Sequence, residues 1–447
     1  MKQKLLNVIE ISSAILKEYA LCDSCLGRQF GLLGHGLTNA ERGSALKLVC
    51  VLQGSRWVTE ERTEDREILL AVAANGFSKI AQDTIQCFGL EVEKRQNVCD
   101  LCKGVFDRID KLVERATSEL SEYDYDTFLV GIKTNMEVED KEDELRSKFG
   151  IRWGENLRNE LSREVGKRIM VETGKEVDLK RPDILVLVNL VDEDVSLVVN
   201  SEFIAGRYRK LVRGIPQSRW NCRDCGGKGC EKCDWKGKLY PYSVEELIAA
   251  PLLEMMEGKN VKLHAAGRED VDVRTLCAGR PFIIEVKEPK LRKIDLEKLK
   301  RSVNLTAEGK VEIDALKFTS KEAVRRLKEA EKANKVYRAV VEFANELSEE
   351  EMLKIEALND RLINQQTPTR VVHRRAVKTR KRYVYGVKLK RLKPNRLEMR
   401  VHCQGGLYIK ELVSGDEGRT TPSVTEVVGI SAKCVELDVM KVEAEVS

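Results

Sequence analysis

No apolar run in the 447 residues approaches the ~18 that a membrane-spanning helix needs. The opening stretch, MKQKLLNVIEISSAILKEY, reads as an amphipathic helix with acids inside it. A secretory signal carries no such acids, so a cytoplasmic protein is expected. Internal repeats, low-complexity tracts and long Pro/Gly/Ser linkers are missing, so domain boundaries must come from punctuation and motifs. A GxGxxG or P-loop is missing too, because GGKG at 226–229 does not sit between a strand and a helix. Only ten glutamines stand beside abundant Lys and Glu, which leans toward a thermophile. What is present, 42% hydrophobic and 34% charged residues, suits a soluble globular chain and excludes a disordered one. The length implies two or three domains.

Net charge is only +5, but it is unevenly spread. Residues 251–447 hold 40 Lys+Arg against 31 Asp+Glu, a balance of +9, and residues 1–250 hold 38 against 42, a balance of −4. Between 361 and 397 there are 13 basic residues and no acid. Such a local positive field suits a phosphate backbone. On charge alone it reads equally well as a solvated face.

Eight of the 13 cysteines fall in four C-x-x-C pairs. In a cytoplasmic chain this spacing points to metal rather than disulfides. The simplest pairing puts Cys222, Cys225, Cys230 and Cys233 in one local knuckle at 222–233. Cys22 and Cys25 then join Cys99 and Cys102 across a long loop. Four thiolates leave no open position for water, so both sites read as structural zinc, one or two ions in all. A redox pair would call for a thioredoxin-like setting, which is missing, and an iron–sulfur cluster is the other metal reading. The remaining five cysteines (Cys50, Cys87, Cys277, Cys403, Cys434) are expected to be small buried apolar residues.

Residues 1–105 are mostly helical in pattern. DTFLVGIK (126–133) reads as a strand, and Leu157, Leu161, Val165 and Ile169 then make one helical stripe. PDILVLVNLV and DVSLVVNSEF follow as strand-like runs, completing a small α+β unit. Beyond the knuckle, strands predominate: VYRAVVEF, RYVYGVKLKRL, RLEMRVHCQ and KCVELDVMKVE. One helix is expected at about 320–334, capped by Thr319 or Ser320. The predicted organisation is a helical segment at 1–105, an α/β module at 106–240 that includes the knuckle, and a domain built on an antiparallel sheet at 241–447.

The candidate catalytic segment is HAAGREDVDVRTLCAGRPFIIEV (264–286), which packs Arg268, Glu269, Asp270, Asp272 and Arg274 between two glycines, Gly267 and Gly279. By itself this is an exposed charged turn. Arginines beside a carboxylate keep it ionised, however, and an ionised carboxylate can act as nucleophile or base.

GREDVDVR resembles the catalytic loop of pseudouridine synthases, which makes Asp270 the catalytic aspartate, with Asp272 the fallback. NKVYRAVVEF resembles the motif whose tyrosine stacks on the target base, here Tyr337. GGLYIKEL resembles the motif that supplies Tyr408 as a substrate contact, Ile409 as a pocket wall and Lys410 as the ion-pair partner of the aspartate. CVELDV resembles the last core strand, with Leu437 lining the pocket. Together with the cysteine-bearing first half, the GRPF and HRRA (373–376) segments and YIKELVSGDEGRTTPSV, these motifs resemble the archaeal tRNA pseudouridine synthases of the TΨC arm over nearly the whole chain.

That resemblance implies an α+β fold. A zinc-bearing helical segment and a THUMP-like RNA-binding module would precede a mixed α/β pseudouridine synthase catalytic domain. It implies an isomerase acting on uridines 54 and/or 55 of tRNA, with no cofactor for catalysis and no membrane partner. Arg268 and the basic segment, including Arg374 and Arg375, would contact the RNA. The base would be flipped out of its arm at a cost of a few kcal/mol. A non-catalytic zinc-containing tRNA or rRNA binding protein shares the basic patch and the cysteines but leaves GREDVDVR and GGLYIKEL unexplained. Other THUMP-bearing enzymes, methyltransferases or thiolation enzymes, need a nucleotide or S-adenosylmethionine loop that the sequence does not offer.

Overall fold

The computed structural model describes residues 7–92, 97–373 and 376–444, with the backbone alone at residue 331. The chain divides into two units, Met1–Val199 and Asn200–Ser447.

In the first unit, β1 (Thr127–Lys133), β2 (Glu176–Val177), β3 (Ile184–Asn189) and β4 (Asp194–Val199) form a sheet in the order β2-β1-β3-β4. β1 runs parallel to both neighbours, and β4 is antiparallel to β3. Strand β3 buries every second side chain, Ile184, Val186 and Val188, as a half-covered strand must. The helix Leu157–Thr173 packs on β1, and the whole expected stripe Leu157, Leu161, Val165 and Ile169 is buried. The earlier helices, among them Val8–Glu18, Asn39–Ser55 and Thr63–Asn75, share one hydrophobic core with this sheet. Residues 1–105 and the module that follows are thus not separate bodies.

The unit ends before the boundary expected between 240 and 241. The run DVSLVVNSEF, read as one strand, breaks at Asn200 and Ser201. Its first half pairs with β3, and its second half opens a strand of the other sheet.

That sheet has ten strands: β5 (Glu202–Lys210), β6 (Asn260–Ala265), β7 (Val273–Lys287), β8 (Val311–Thr319), β9 (Lys335–Phe343), β10 (Arg361–Gln366), β11 (Thr379–Lys393), β12 (Arg396–Cys403), β13 (Thr420–Thr421) and β14 (Ala432–Val442). The order is β13-β10-β11-β12-β9-β14-β7-β5-β8, with β6 also on β7. Every pair is antiparallel except β14 with β7. The helices Val244–Met256, Leu296–Thr306 and Glu349–Glu356 were not singled out in a region expected to be predominantly strand. The first two bury Ile248, Leu252, Leu299 and Val303 against Ile204 and Ile284 of the sheet. The helix expected at 320–334 is shorter, Lys321–Glu329. Ser320 is its N-cap and makes no side-chain capping bond.

Cys50 and Cys403 are buried as expected and Cys434 is half-buried, but Cys87 and Cys277 are exposed. Cys87 ends a surface helix, Lys79–Cys87. Cys277 takes a left-handed φ of 48° within β7, which turns it out of the ladder. Among the described residues no helix is long and apolar enough to cross a membrane.

Candidate active site

The loop 267–272 leads directly into β7, whose Val273 is paired with Leu437 of the parallel strand β14. Across β14, Ala339 of β9 faces Leu437 and Tyr337 faces Val439. Residues opposite each other in a ladder share a face. Val273, Leu437, Val439 and Tyr337 therefore make one apolar floor, and they line a cavity of about 910 Å³. Gly405, Leu407, Tyr408, Ile409 and Lys410 close one side of it, and Arg268 and Asp270 stand at its edge. Seven residues chosen from sequence motifs (Arg268, Asp270, Tyr337, Tyr408, Ile409, Lys410 and Leu437) thus line one cavity. Arg374 and Arg375 lie outside the described residues. Eleven lining residues are Lys or Arg and four are Asp or Glu, a balance of +7 that draws polyanions.

Two carboxylates and two cations meet at the mouth. Arg370 donates from Nη1 to Asp270 Oδ2 at 2.7 Å and from Nε to the buried Glu411 at 2.6 Å. Lys410 donates to both oxygens of Asp272, at 2.7 and 2.9 Å, and lies 3.7 Å from Asp270. The expected Lys410–Asp270 pair is therefore the longer contact, and Arg370 is the nearest cation to Asp270. Burial pushes the Asp272 carboxyl up, but hydrogen bonding and charge from Lys410, with the charge of Arg370, outweigh it and hold the group below the usual carboxylate range. Burial raises the pKa of the Tyr337 hydroxyl, which suits a ring that presents its face rather than a charge. Arg370 and Arg380 both lie over the Tyr408 ring, at 5.9 and 6.0 Å.

The loop is held from beneath by groups that no local motif marks. Lys210, fully buried at the end of β5, donates to the carbonyls of Ile215 at 2.8 Å and of Asp270 and Val271, both at 3.1 Å. Burial pushes its pKa down to about 8, against the charges of Glu269 and Asp272. Gln217 donates to the Gly267 carbonyl at 3.1 Å, and Arg280 donates to that of Ala266 at 2.7 Å. Glu269, buried, pairs with Arg280 at 2.8 Å and accepts from Tyr208 at 2.9 Å. So the glutamate of GREDVD anchors the loop while Asp270 faces outward. On the far side, buried Gln365 clamps Tyr408 with two bonds. It donates to the Tyr408 carbonyl at 3.0 Å and accepts from the Tyr408 N–H at 2.8 Å.

The eight paired cysteines form two clusters, Cys22/Cys25/Cys99/Cys102 in the first unit and Cys222/Cys225/Cys230/Cys233 in the second. All sulfurs of each lie within 4.8 Å of one another. Cys22 and Cys102 are 3.7 Å apart, and in the second cluster the short separations are 3.7, 3.9 and 3.9 Å. A zinc–sulfur bond of about 2.3 Å gives a tetrahedral edge of about 3.8 Å. Both clusters therefore fit a four-thiolate zinc ion, which would tie chain segments together without touching the cavity. Backbone N–H groups of Gly229, Cys230 and Gly237 point at the second cluster's sulfurs at 3.2–3.3 Å, as around thiolates that carry charge.

A family model described as Pus10, C-terminal, matches residues 203–443, and one described as Pus10 THUMP domain, archaeal, matches 112–189. A tRNA pseudouridine synthase Pus10 of Methanocaldococcus jannaschii is 45% identical, covering 98% of this chain and 95% of that protein. The chain belongs to the Pus10 family. Pus10 proteins of Thermofilum pendens and Methanothrix thermoacetophila are 39% and 40% identical, over 97% and 98% of this chain and 95% and 94% of theirs. Among solved structures, a Cbf5–Nop10–Gar1 complex aligns with a TM-score of 0.28 at 17% identity over 44% of each chain, which carries no weight. The Pus10 THUMP match falls in the first unit and the Pus10 C-terminal match in the second, so the fold is α+β with a THUMP domain ahead of a pseudouridine synthase-type domain.

Proposed function

We propose that the cavity of the second unit isomerises uridine to pseudouridine in the TΨC arm of tRNA, at positions 54 and/or 55, with Asp270 as the catalytic carboxylate. As a Pus10-family chain, the protein is a tRNA pseudouridine synthase, an isomerase. The observation that carries the site assignment is the convergence of seven motif residues, spread from 268 to 437, on one cationic cavity.

In this reading the target base is flipped into the cavity and stacks on Tyr337, a contact worth about 1–3 kcal/mol. Asp270 acts at the sugar. The N1–C1′ bond breaks, the uracil turns, C5 bonds to C1′, and the proton lost from C5 is balanced by one gained at N1. No redox change or outside group enters this scheme, so no cofactor is called for. Arg370 and Lys410 hold the Asp270 carboxylate in place until substrate arrives. Leu437 and Ile409 exclude water, and the rim cations hold phosphates in register without reading sequence. The THUMP-bearing first unit would grip the acceptor end, and the cysteine clusters would carry structural zinc. The enzyme would work in the cytoplasm.

The test is turnover on an unmodified tRNA transcript, with pseudouridine mapped by chemical labelling and primer extension, for wild type beside Asp270→Asn. Product in the TΨC arm with wild type alone supports the proposal. Product with the variant at wild-type rate sinks the Asp270 assignment, and tight tRNA binding without product in either sinks the reaction.

A further inference from the structure

The second cysteine cluster lies on an excursion between β5 and the helix Val244–Met256, and none of its residues lines the cavity. It presents an exposed aromatic instead. Trp235 is 73% exposed, more than any other aromatic among the described residues. Its backbone is left-handed at φ 58°, directly after Asp234 at φ 49°. Two such residues in a row, one of them an indole, are costly for L-amino acids and persist only where the surroundings impose them.

Here the surroundings are visible. The Trp235 N–H donates to the Cys230 carbonyl at 2.9 Å. Glycines make the tight fit possible: a Cβ on Gly229 would stand 2.8 Å from the Trp235 carbonyl oxygen, and one on Gly237 would stand 2.3 Å from that of Gly227. The knuckle is folded so that this indole points to solvent.

The ring's neighbours in the chain are charged, and Lys232 and Lys236 pair with Asp224 at 2.8 Å and Asp234 at 3.3 Å. Lys232 and Lys236 have side chains 73% and 61% exposed. Arg219, Arg223 and Lys228 are exposed and have no carboxylate partner among the described residues. A flat aromatic face on a knuckle that also carries three unpaired cations, Arg219, Arg223 and Lys228, is the chemistry that receives a nucleobase and its phosphates. The knuckle also connects to the cavity: at its base Trp220 carries the Arg268 guanidinium over its ring at 5.3 Å, and Arg268 lines the cavity two residues before Asp270.

We propose that Trp235 is a stacking platform for an unpaired base of the tRNA substrate, with the knuckle's free cations on the adjoining phosphates. The inference rests on reading the chain as a tRNA pseudouridine synthase. It is tested with full-length unmodified tRNA on the whole protein, comparing wild type, Trp235→Ala and Trp235→Phe, with metal content and thermal unfolding measured for each. Trp235→Ala should raise Kd and KM about 5- to 100-fold at unchanged kcat, while Trp235→Phe stays within about threefold. Part of the indole fluorescence should be quenched on tRNA binding in wild type and in no case by the residue lost in Trp235→Phe. Unchanged Kd and KM in Trp235→Ala overturn the proposal, and so does an equal loss in both variants with metal content intact. A wild type that binds tRNA but forms no pseudouridine removes the enzymatic reading, and the affinity comparison still decides the stacking.

Discussion

Asp270 and Asp438 each have arginines within hydrogen-bonding distance, yet Asp438 is wholly buried while Asp270 keeps 46% of its side chain exposed. Asp438 accepts from Arg213 at 2.7 Å, from Arg274 at 2.9 and 3.0 Å, and from Arg338 at 3.0 Å. Arg274 and Arg338 are its ladder partners on β7 and β9. This knot therefore locks the register of β14, the strand that places Leu437 under the cavity on the opposite face. Asp270 draws its cations from two separate connections, and each is shared: Arg370 with Glu411 and Lys410 with Asp272. Both carboxylates are held by cations, three arginines at Asp438 and one arginine with a lysine at Asp270. The arginines of Asp438 are shared as well, Arg338 with Glu398 at 2.8 Å, so burial decides which charge is fixed in the fold and which can be handed to a substrate.

The widest separation of the two should come from turnover. Asp270→Asn is expected to lower kcat by more than about 10³-fold, about 4 kcal/mol on the barrier, and to leave the melting temperature where it was. Asp438→Asn should do the reverse, lowering unfolding free energy by about 3 kcal/mol in denaturant titration while the folded fraction turns over normally. The same titration repeated in acid sharpens the point. Burial raises the Asp438 pKa, but hydrogen bonds and charge from its arginines outweigh this and hold it low. Its contribution is therefore present above the unfolded value near 4 and is lost as pH falls through the lower folded value, so the gap between wild type and variant should narrow below about pH 4.

A smaller effect is expected from Arg370→Ala, about tenfold in kcat, because Lys410 remains to hold Asp270; a loss as large as that of Asp270→Asn would mean that Lys410 cannot substitute. The smallest concerns Lys210. Its proton leaves the folded protein at about pH 8 and the unfolded chain only near 10.4, so this group adds stability as pH rises between them. The carbonyls of Asp270 and Val271 meanwhile lose a charged donor. Turnover should fall a few-fold from pH 7 to pH 9 with no drop in melting temperature.

Local pattern carried much of this. The runs VYRAVVEF and KCVELDVMKVE became neighbouring strands β9 and β14, and the stripe from Leu157 to Ile169 became a buried helix face. Pairing across long separations was not legible. Nothing near Arg370 announces that it reaches Asp270, 100 residues earlier. Lys210 ends β5, seven residues past the last residue of the run DVSLVVNSEF. Two unremarkable residues, Asn200 and Ser201, separate sheets that belong to different units. Resemblance to known motifs marked the residues proposed to face substrate, because chemistry restricts their type. The groups that aim them, Lys210, Gln217 and Gln365, meet no such restriction along the chain and emerge only from the topology.

β14 follows every other strand of its sheet along the chain and yet lies in the middle, between β9 and β7. Until the ribosome has released residue 442, two half-sheets, β13-β10-β11-β12-β9 and β7-β5-β8 with β6, each present an open edge toward a gap. Unpaired edges of this kind are sticky, and closing them joins segments far apart in sequence, which is slow. The cavity floor arrives with that closure, so a nascent chain has no complete cavity until β14 is in place. The same insertion makes this strand the point where assembly of the sheet is most exposed to failure.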